Sequence, residues 1–137
     1  IYDEGLVEGI NFNFDSIITT PNSFNSHRLL ALAYKHGVQE NVLDSLFESY
    51  FLNGEDIGDP NVLLDIAIKH KIGAEDFKSY LSDQENIEPL ANEEIQARKM
   101  GINSVPTFII NKQIVINGAQ TSENFEIIFQ KIKNSLN

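Results

Sequence analysis

Apolar residues recur at helical spacing through most of this chain, then give way near its end to short β-branched runs. Residues 1–9 are polar and interrupted by glycine, in keeping with the tail of a helix. From Ile10 to Asp15 the pattern alternates, with Ile10, Phe12 and Phe14 on one side and Asn11, Asn13 and Asp15 on the other. Period-two alternation predicts a short, half-buried strand. Thr20-Pro21-Asn22-Ser23 reads as a turn that leads into a helix, with Asn22 or Ser23 as its N-cap.

A run of helices follows, each closed by a glycine. The first, over 24–36, buries Leu29, Leu30, Ala33 and Tyr34 and stops at Gly37. The second carries Val42, Leu43, Leu46, Phe47, Tyr50 and Phe51 as one apolar stripe, read as core packing, and stops at Gly54. Asp59 caps the third and Pro60 occupies its first position. Leu63, Ile66, Ala67 and His70 line one side of it, and Gly73 closes it. A shorter helix carries Phe77, Tyr80 and Leu81. A longer one over 84–100 holds Ile87, Leu90, Ala91 and Ile95 and ends at Gly101, with Pro89 early enough to be tolerated.

The period then changes from about 3.6 to 2. Residues 107–111 and 113–117 are β-branched runs separated by little more than Asn111-Lys112, which predicts a hairpin with Asn111 suited to a positive φ. After Gly118-Ala119-Gln120 a final helix carries Phe125, Ile128, Phe129, Ile132 and Leu136, with Thr121 or Ser122 as its N-cap. The organisation expected is therefore a helix end, short strand and linker over 1–22, a helical region over 23–100, and a β-β-α unit over 101–137.

Composition narrows the chemistry. The 137 residues suit a single domain with an ordinary core, and 42% hydrophobic with 22% charged residues is a globular balance. Ten basic against twenty acidic residues leave a net charge of −10, which disfavours nucleic acid as a partner. No apolar run is long enough to cross a membrane, so no membrane association is expected. The sequence contains no cysteine, so disulfides, thiolate metal sites and cysteine nucleophiles are excluded from these residues. The three histidines lack zinc spacing, and there is no Gly-rich phosphate loop or serine-nucleophile elbow. No metal or cofactor is expected. The first residue is Ile1 rather than methionine, which suggests that a segment lies upstream. A cytoplasmic location is the expectation.

Several ordered motifs carry a family resemblance. Gly101-Ile102-Asn103-Ser104-Val105-Pro106-Thr107, followed by a hairpin and an amphipathic helix, is similar to the second half of a thioredoxin fold. Upstream, Asn22-Ser23-Phe24-Asn25-Ser26-His27-Arg28-Leu29, Leu46-Phe47-Glu48-Ser49-Tyr50-Phe51 and Asp56-Ile57-Gly58-Asp59 resemble the DsbA-like family, as does Gly118-Ala119-Gln120. Within that family they are most similar to the FrnE-type predicted dithiol–disulfide isomerases. The resemblance covers about residues 6–135 and implies an α/β thioredoxin-like fold with an α-helical insertion. Here the fold is truncated to a mainly helical fragment with a C-terminal hairpin and helix. The family's Cys-x-x-Cys and its first two strands should lie before these elements.

The resemblance also implies where a substrate is met. Pro106 is expected to be cis, and the backbone of Val105 to face an extended substrate, so Val105, Pro106 and Thr107 are the substrate-binding candidates. Asn22, Phe24 and His27 open the helical insertion and are candidates for the facing cleft, as is Gln120. By spacing alone His27 is as readily a core or boundary histidine, and His36 and His70 sit near helix ends, where a positive charge suits the dipole.

Three functions remain open at this point. The first is a thiol–disulfide oxidoreductase or isomerase acting on a protein dithiol, a protein disulfide or a small thiol, with this fragment inactive for want of cysteine. The second is a glutathione-dependent isomerase or transferase of the kappa type, disfavoured because neutral Gln120 stands where that branch usually carries an acid. The third is a non-catalytic peptide-binding or interaction module. An unpaired edge at 107–111 further suggests a homodimer, with the 10–14 strand as an internal alternative partner.

Overall fold

A computed structural model describes residues 1–135. The chain divides into two compact units, Ile1–Leu90 and Ala91–Asn137. The first is helical throughout: α1 (Tyr2–Val7), α2 (Phe24–Lys35), α3 (Gln39–Phe47), α4 (Pro60–Lys69) and α5 (Ala74–Ser82), with single 3-10 turns at Phe14–Ser16 and Gln84–Asn86. Helix α6 (Ile87–Lys99) runs across the division, and the second unit continues with β1 (Thr107–Ile110), β2 (Ile114–Asn117) and α7 (Ser122–Ser135).

The core of the first unit is built from α2, α3, α4 and α5. Leu29, Leu32, Ala33, Val42, Leu46, Leu63, Ile66, Ala67, Ile72 and Phe77 are all buried. Each large side chain among them contributes about 1.5–3 kcal/mol by leaving water. Two residues expected in this core are not there: Tyr34 is 71% exposed and Phe47 is 54% exposed. Both lie at the margin of their apolar stripes. Leu32, from the opposite margin of the α2 stripe, is buried in the place expected for Tyr34.

Three helix ends share one construction. In α2 the N–H of Val38 donates to the Ala33 carbonyl and that of Gly37 to Tyr34, with Gly37 at φ +71°. In α6 Ile102 and Gly101 repeat the pattern on Ala97 and Arg98. These are Schellman caps, in which a left-handed residue lets the chain fold back onto the last turn. The third corrects an expectation. Helix α4 is closed not by Gly73 but by Lys71, at φ +65°, with Ile72 N–H on the Ala67 carbonyl. Ile72 is 1% exposed, and its burial offsets the cost of a left-handed lysine. Gly73 instead precedes α5.

A second correction concerns residues 10–14, which form no strand. Ile10 N–H closes α1 on the Gly5 carbonyl, Asn13 N–H donates to the Phe51 carbonyl at 2.9 Å, and Phe14 begins a 3-10 turn. The alternation serves ring packing instead. Phe12 and Phe14 stack at 5.0 Å, and both meet the edge of Phe51. Phe51 lies in a π-helical turn, Glu48–Leu52, that continues α3.

In the second unit β1 and β2 are antiparallel, with Phe108 opposite Ile116 and Ile110 opposite Ile114. Asn111 and Lys112 take φ +52° and +60°, and Gln113 N–H closes the turn on the Ile110 carbonyl. The strands are each one residue shorter than expected because Gln113 falls outside the register, as in a bulged hairpin. Phe108 packs edge-on against Phe125 of α7 at 4.8 Å. Thr121 caps α7 by accepting from Asn124 N–H at 3.3 Å. Leu136, expected on the α7 stripe, lies outside the described residues.

Candidate functional site

The Val105–Thr107 loop is held from both ends. Behind it, α6 ends at Gly101; ahead of it, Thr107 begins β1 opposite Asn117. The Thr107 hydroxyl donates to the Ser104 carbonyl at 2.6 Å and lies 2.9 Å from the side-chain amide of Asn117. The Pro106 carbonyl accepts from Gly118 N–H at 2.8 Å. The Val105–Pro106 peptide bond is cis. Between these anchors Val105 is 90% exposed, and neither its N–H nor its C=O has a hydrogen-bond partner among the described residues.

Gln120 belongs to the same set. It is half-buried, its Nε2 lies 3.4–3.5 Å from the carbonyls of Gly118 and Asn117, and its Oε1 accepts from Asn124 Nδ2 at 3.4 Å. The loop before β1 and the turn after β2 are thus one bonded assembly containing Val105, Pro106, Thr107 and Gln120. It offers a free peptide group and amide dipoles, with no nucleophile. Such a group suits pairing with another extended backbone.

Asn22, Phe24 and His27 lie in the first unit, gathered at the start of α2. Asn22 Oδ1 accepts from Phe24 N–H at 3.0 Å, so Asn22, not Ser23, supplies the capping oxygen. Phe24 is half-buried, and His27 is exposed, with no side-chain hydrogen bond among the described residues. Ser26, between them, is buried and donates to the Ile57 carbonyl at 2.6 Å. Gly58 lies so close to the Asn22 backbone that a Cβ would be 3.1 Å from its carbonyl oxygen. That close approach fixes the entry into α2.

Two polar groups escaped the sequence reading. Arg28 is 5% exposed and donates to the carbonyls of Tyr80 and Asp83, each at 3.0 Å. It lies one turn before Leu32 on the buried face of α2, a position that spacing could have revealed. Ser45, also buried, is 2.8 Å from His70 Nε2 and joins α3 to α4. His36 sits 3.0 Å from Asp76, and Lys35 lies over the Tyr80 ring, both tying α2 to α5. Among the described residues no group of histidine, aspartate and glutamate side chains could hold a metal. No helix there is long and apolar enough to cross a membrane.

A β-hairpin entered through a cis-proline and covered by a helix defines the closing half of a thioredoxin-like fold. The chain matches the DSBA-like thioredoxin domain over residues 4–130, and it belongs to that family. Among solved structures it is similar to a probable DsbA oxidoreductase from Streptomyces coelicolor, with a TM-score of 0.76 and 24% identity. The match covers 95% of this chain and 56% of the other, so this chain spans little more than half that protein's length. Comparison with curated proteins gave no match.

Proposed function

We propose that this chain forms the substrate-binding portion of a thiol–disulfide oxidoreductase or isomerase of the FrnE-type branch. Its reactive Cys-x-x-Cys is supplied by polypeptide outside these 137 residues. Membership of the DsbA-like family supports the reaction class. The observation that carries the role of this portion is Val105, 90% exposed with an unpaired peptide group at the entrance to β1.

In thiol–disulfide exchange a thiolate attacks one sulfur of a disulfide, forming a mixed disulfide and releasing the other sulfur as a thiolate. A second thiol, losing its proton, then displaces the first. The contribution of this chain is positional. Val105 N–H and C=O pair with the substrate backbone, holding its sulfur at a fixed height. Pro106 has no N–H to compete, and the Thr107 hydroxyl keeps the loop anchored to Ser104. Recognition through backbone groups accepts many sequences, as a general oxidoreductase requires.

Two measurements test this. Insulin reduction by dithiothreitol in the presence of the cysteine-free chain should run at the uncatalysed rate; acceleration would place reactive chemistry in the chain itself. An extended, blocked peptide should shift the amide resonances of residues 104–107, and silence there would remove the binding role.

A further inference from the structure

Within the first unit an open pocket of about 590 Å³ is lined by residues that include Tyr2, Phe12, Phe14 and Leu52 together with Asn13 and Asp15. Its aromatic wall is set before any ligand arrives. Phe12 and Phe14 stack at 5.0 Å and 21°, and Phe51 meets them edge-on at 5.6 and 6.5 Å. The backbone between the two rings is fixed as well, because Asn13 N–H donates to Phe51 and the Asn13 carbonyl accepts from Ser16 Oγ at 2.7 Å. Tyr2, Phe14 and Leu52 are nevertheless 46, 38 and 38% exposed.

The charge around this wall has one sign. Residues 1–27 hold Asp3, Glu4, Glu8 and Asp15 and no lysine or arginine. Asp15 forms no ion pair among the described residues. An anion is repelled here, and a neutral apolar group leaves Asp15 unanswered. A long apolar stem ending in a cation satisfies both features. A guanidinium does so best, since its flat, weakly hydrated face stacks on aromatic rings while its edge donates to a carboxylate.

We propose that this pocket takes an arginine side chain of an extended polypeptide. The proposal deepens the function above by naming a preferred substrate feature, and it rests on that reading only in taking a polypeptide as the partner.

The test is a resonance titration of the whole ¹⁵N-labelled chain with blocked tetrapeptides that differ at one position: arginine, norleucine or glutamate. The arginine peptide should shift the amides of residues 11–15 and 52. The norleucine peptide should bind about threefold to tenfold more weakly, the combined worth of an exposed ion pair and a cation–π contact. The glutamate peptide should leave these residues unmoved. Asp15→Asn, an exposed and conservative change, should lower the arginine affinity to the norleucine level. Equal binding of arginine and norleucine, or an Asp15→Asn variant that binds arginine normally, would overturn the assignment. Shifts at 104–107 with all three peptides but none at 11–15 would also overturn it, while leaving the proposed function standing. Shifts confined to 11–15 would support it and count against the backbone-binding role.

Discussion

Arg28 Nη2 donates to the Tyr80 carbonyl at 3.0 Å from a side chain only 5% exposed, and no ion pair accompanies it among the described residues. The same nitrogen reaches the Asp83 carbonyl, so the charge sits at the C-terminal end of α5, where the helix dipole favours a cation. Arg28→Met should cost about 2–4 kcal/mol, because two part-buried carbonyls lose a charged donor. Arg28→Lys keeps the charge without the fork and should cost about half as much. Urea unfolding with an unchanged slope and a lowered midpoint is the readout.

Gly37 and Gly54 share a φ of +71°, but their surroundings differ. Nothing lies within 4 Å of a Cβ at Gly37, whereas one at Gly54 would collide with the side chain and carbonyl of Ser16. Gly37→Ala should cost about 1 kcal/mol for the left-handed backbone alone. Gly54→Ala should cost at least about 2 kcal/mol more, the usual scale of overpacking. Equal losses for the two would show that the approach of Ser16 to Gly54 is not tight in solution.

Every fully buried apolar side chain among the described residues lies between Leu29 and Phe77, in the first unit. The second unit has partly covered side chains only, and β1 is paired along one edge alone. Local stability follows burial and backbone pairing. Native-state amide exchange should therefore be faster by at least about tenfold along β1 than along the middle of α2. Slower exchange in β1 would mean that its free edge is covered in solution.

Glu123 titrates below the ordinary glutamate value because its own backbone N–H and the Thr121 hydroxyl both donate to the ionised carboxylate. A depressed carboxylate adds stability above its unfolded pKa and loses it as pH falls through the folded one. The start of α7 should accordingly loosen as the pH drops below about 4.5. Glu123→Gln should remove that dependence from amide exchange in the first turn of α7. Because Glu123 is exposed, the response should also weaken as salt is added.

Where local chemistry decides the structure, the chain could be read directly. Gly37 and Gly101 end helices, Asp59 accepts from Asn61 N–H ahead of Pro60, and Asn111 carries the hairpin's positive φ. The family motifs led to the Val105–Thr107 loop by the same route. Positions settled by distant partners could not be read. Alternation at Ile10–Phe14 looks the same whether it faces a sheet or a pair of stacked rings, and only Phe51, far along the chain, distinguishes them. Arg28 was unreadable for a related reason, since its partners are carbonyls, which every residue possesses. His27 was open between core and surface because its neighbours on α2, Leu30 and Ala31, are half-buried and Tyr34 is exposed.

The π-helical turn at Glu48–Leu52 has a consequence in the reading frame of the helix. Such a turn is an α-helix that has accepted one surplus residue without breaking. Removing one residue inside Glu48–Leu52 returns the segment to ordinary pitch and rotates all that follows by about 100°. Phe51 would swing away from Phe12 and Phe14, and the carbonyl that holds Asn13 would go with it. Length at this point is therefore as much a determinant as side-chain identity. A homologue could exchange several of these residues and keep the aromatic stack, but one shorter by a single codon here would have to build the neighbourhood of Phe12 in another way.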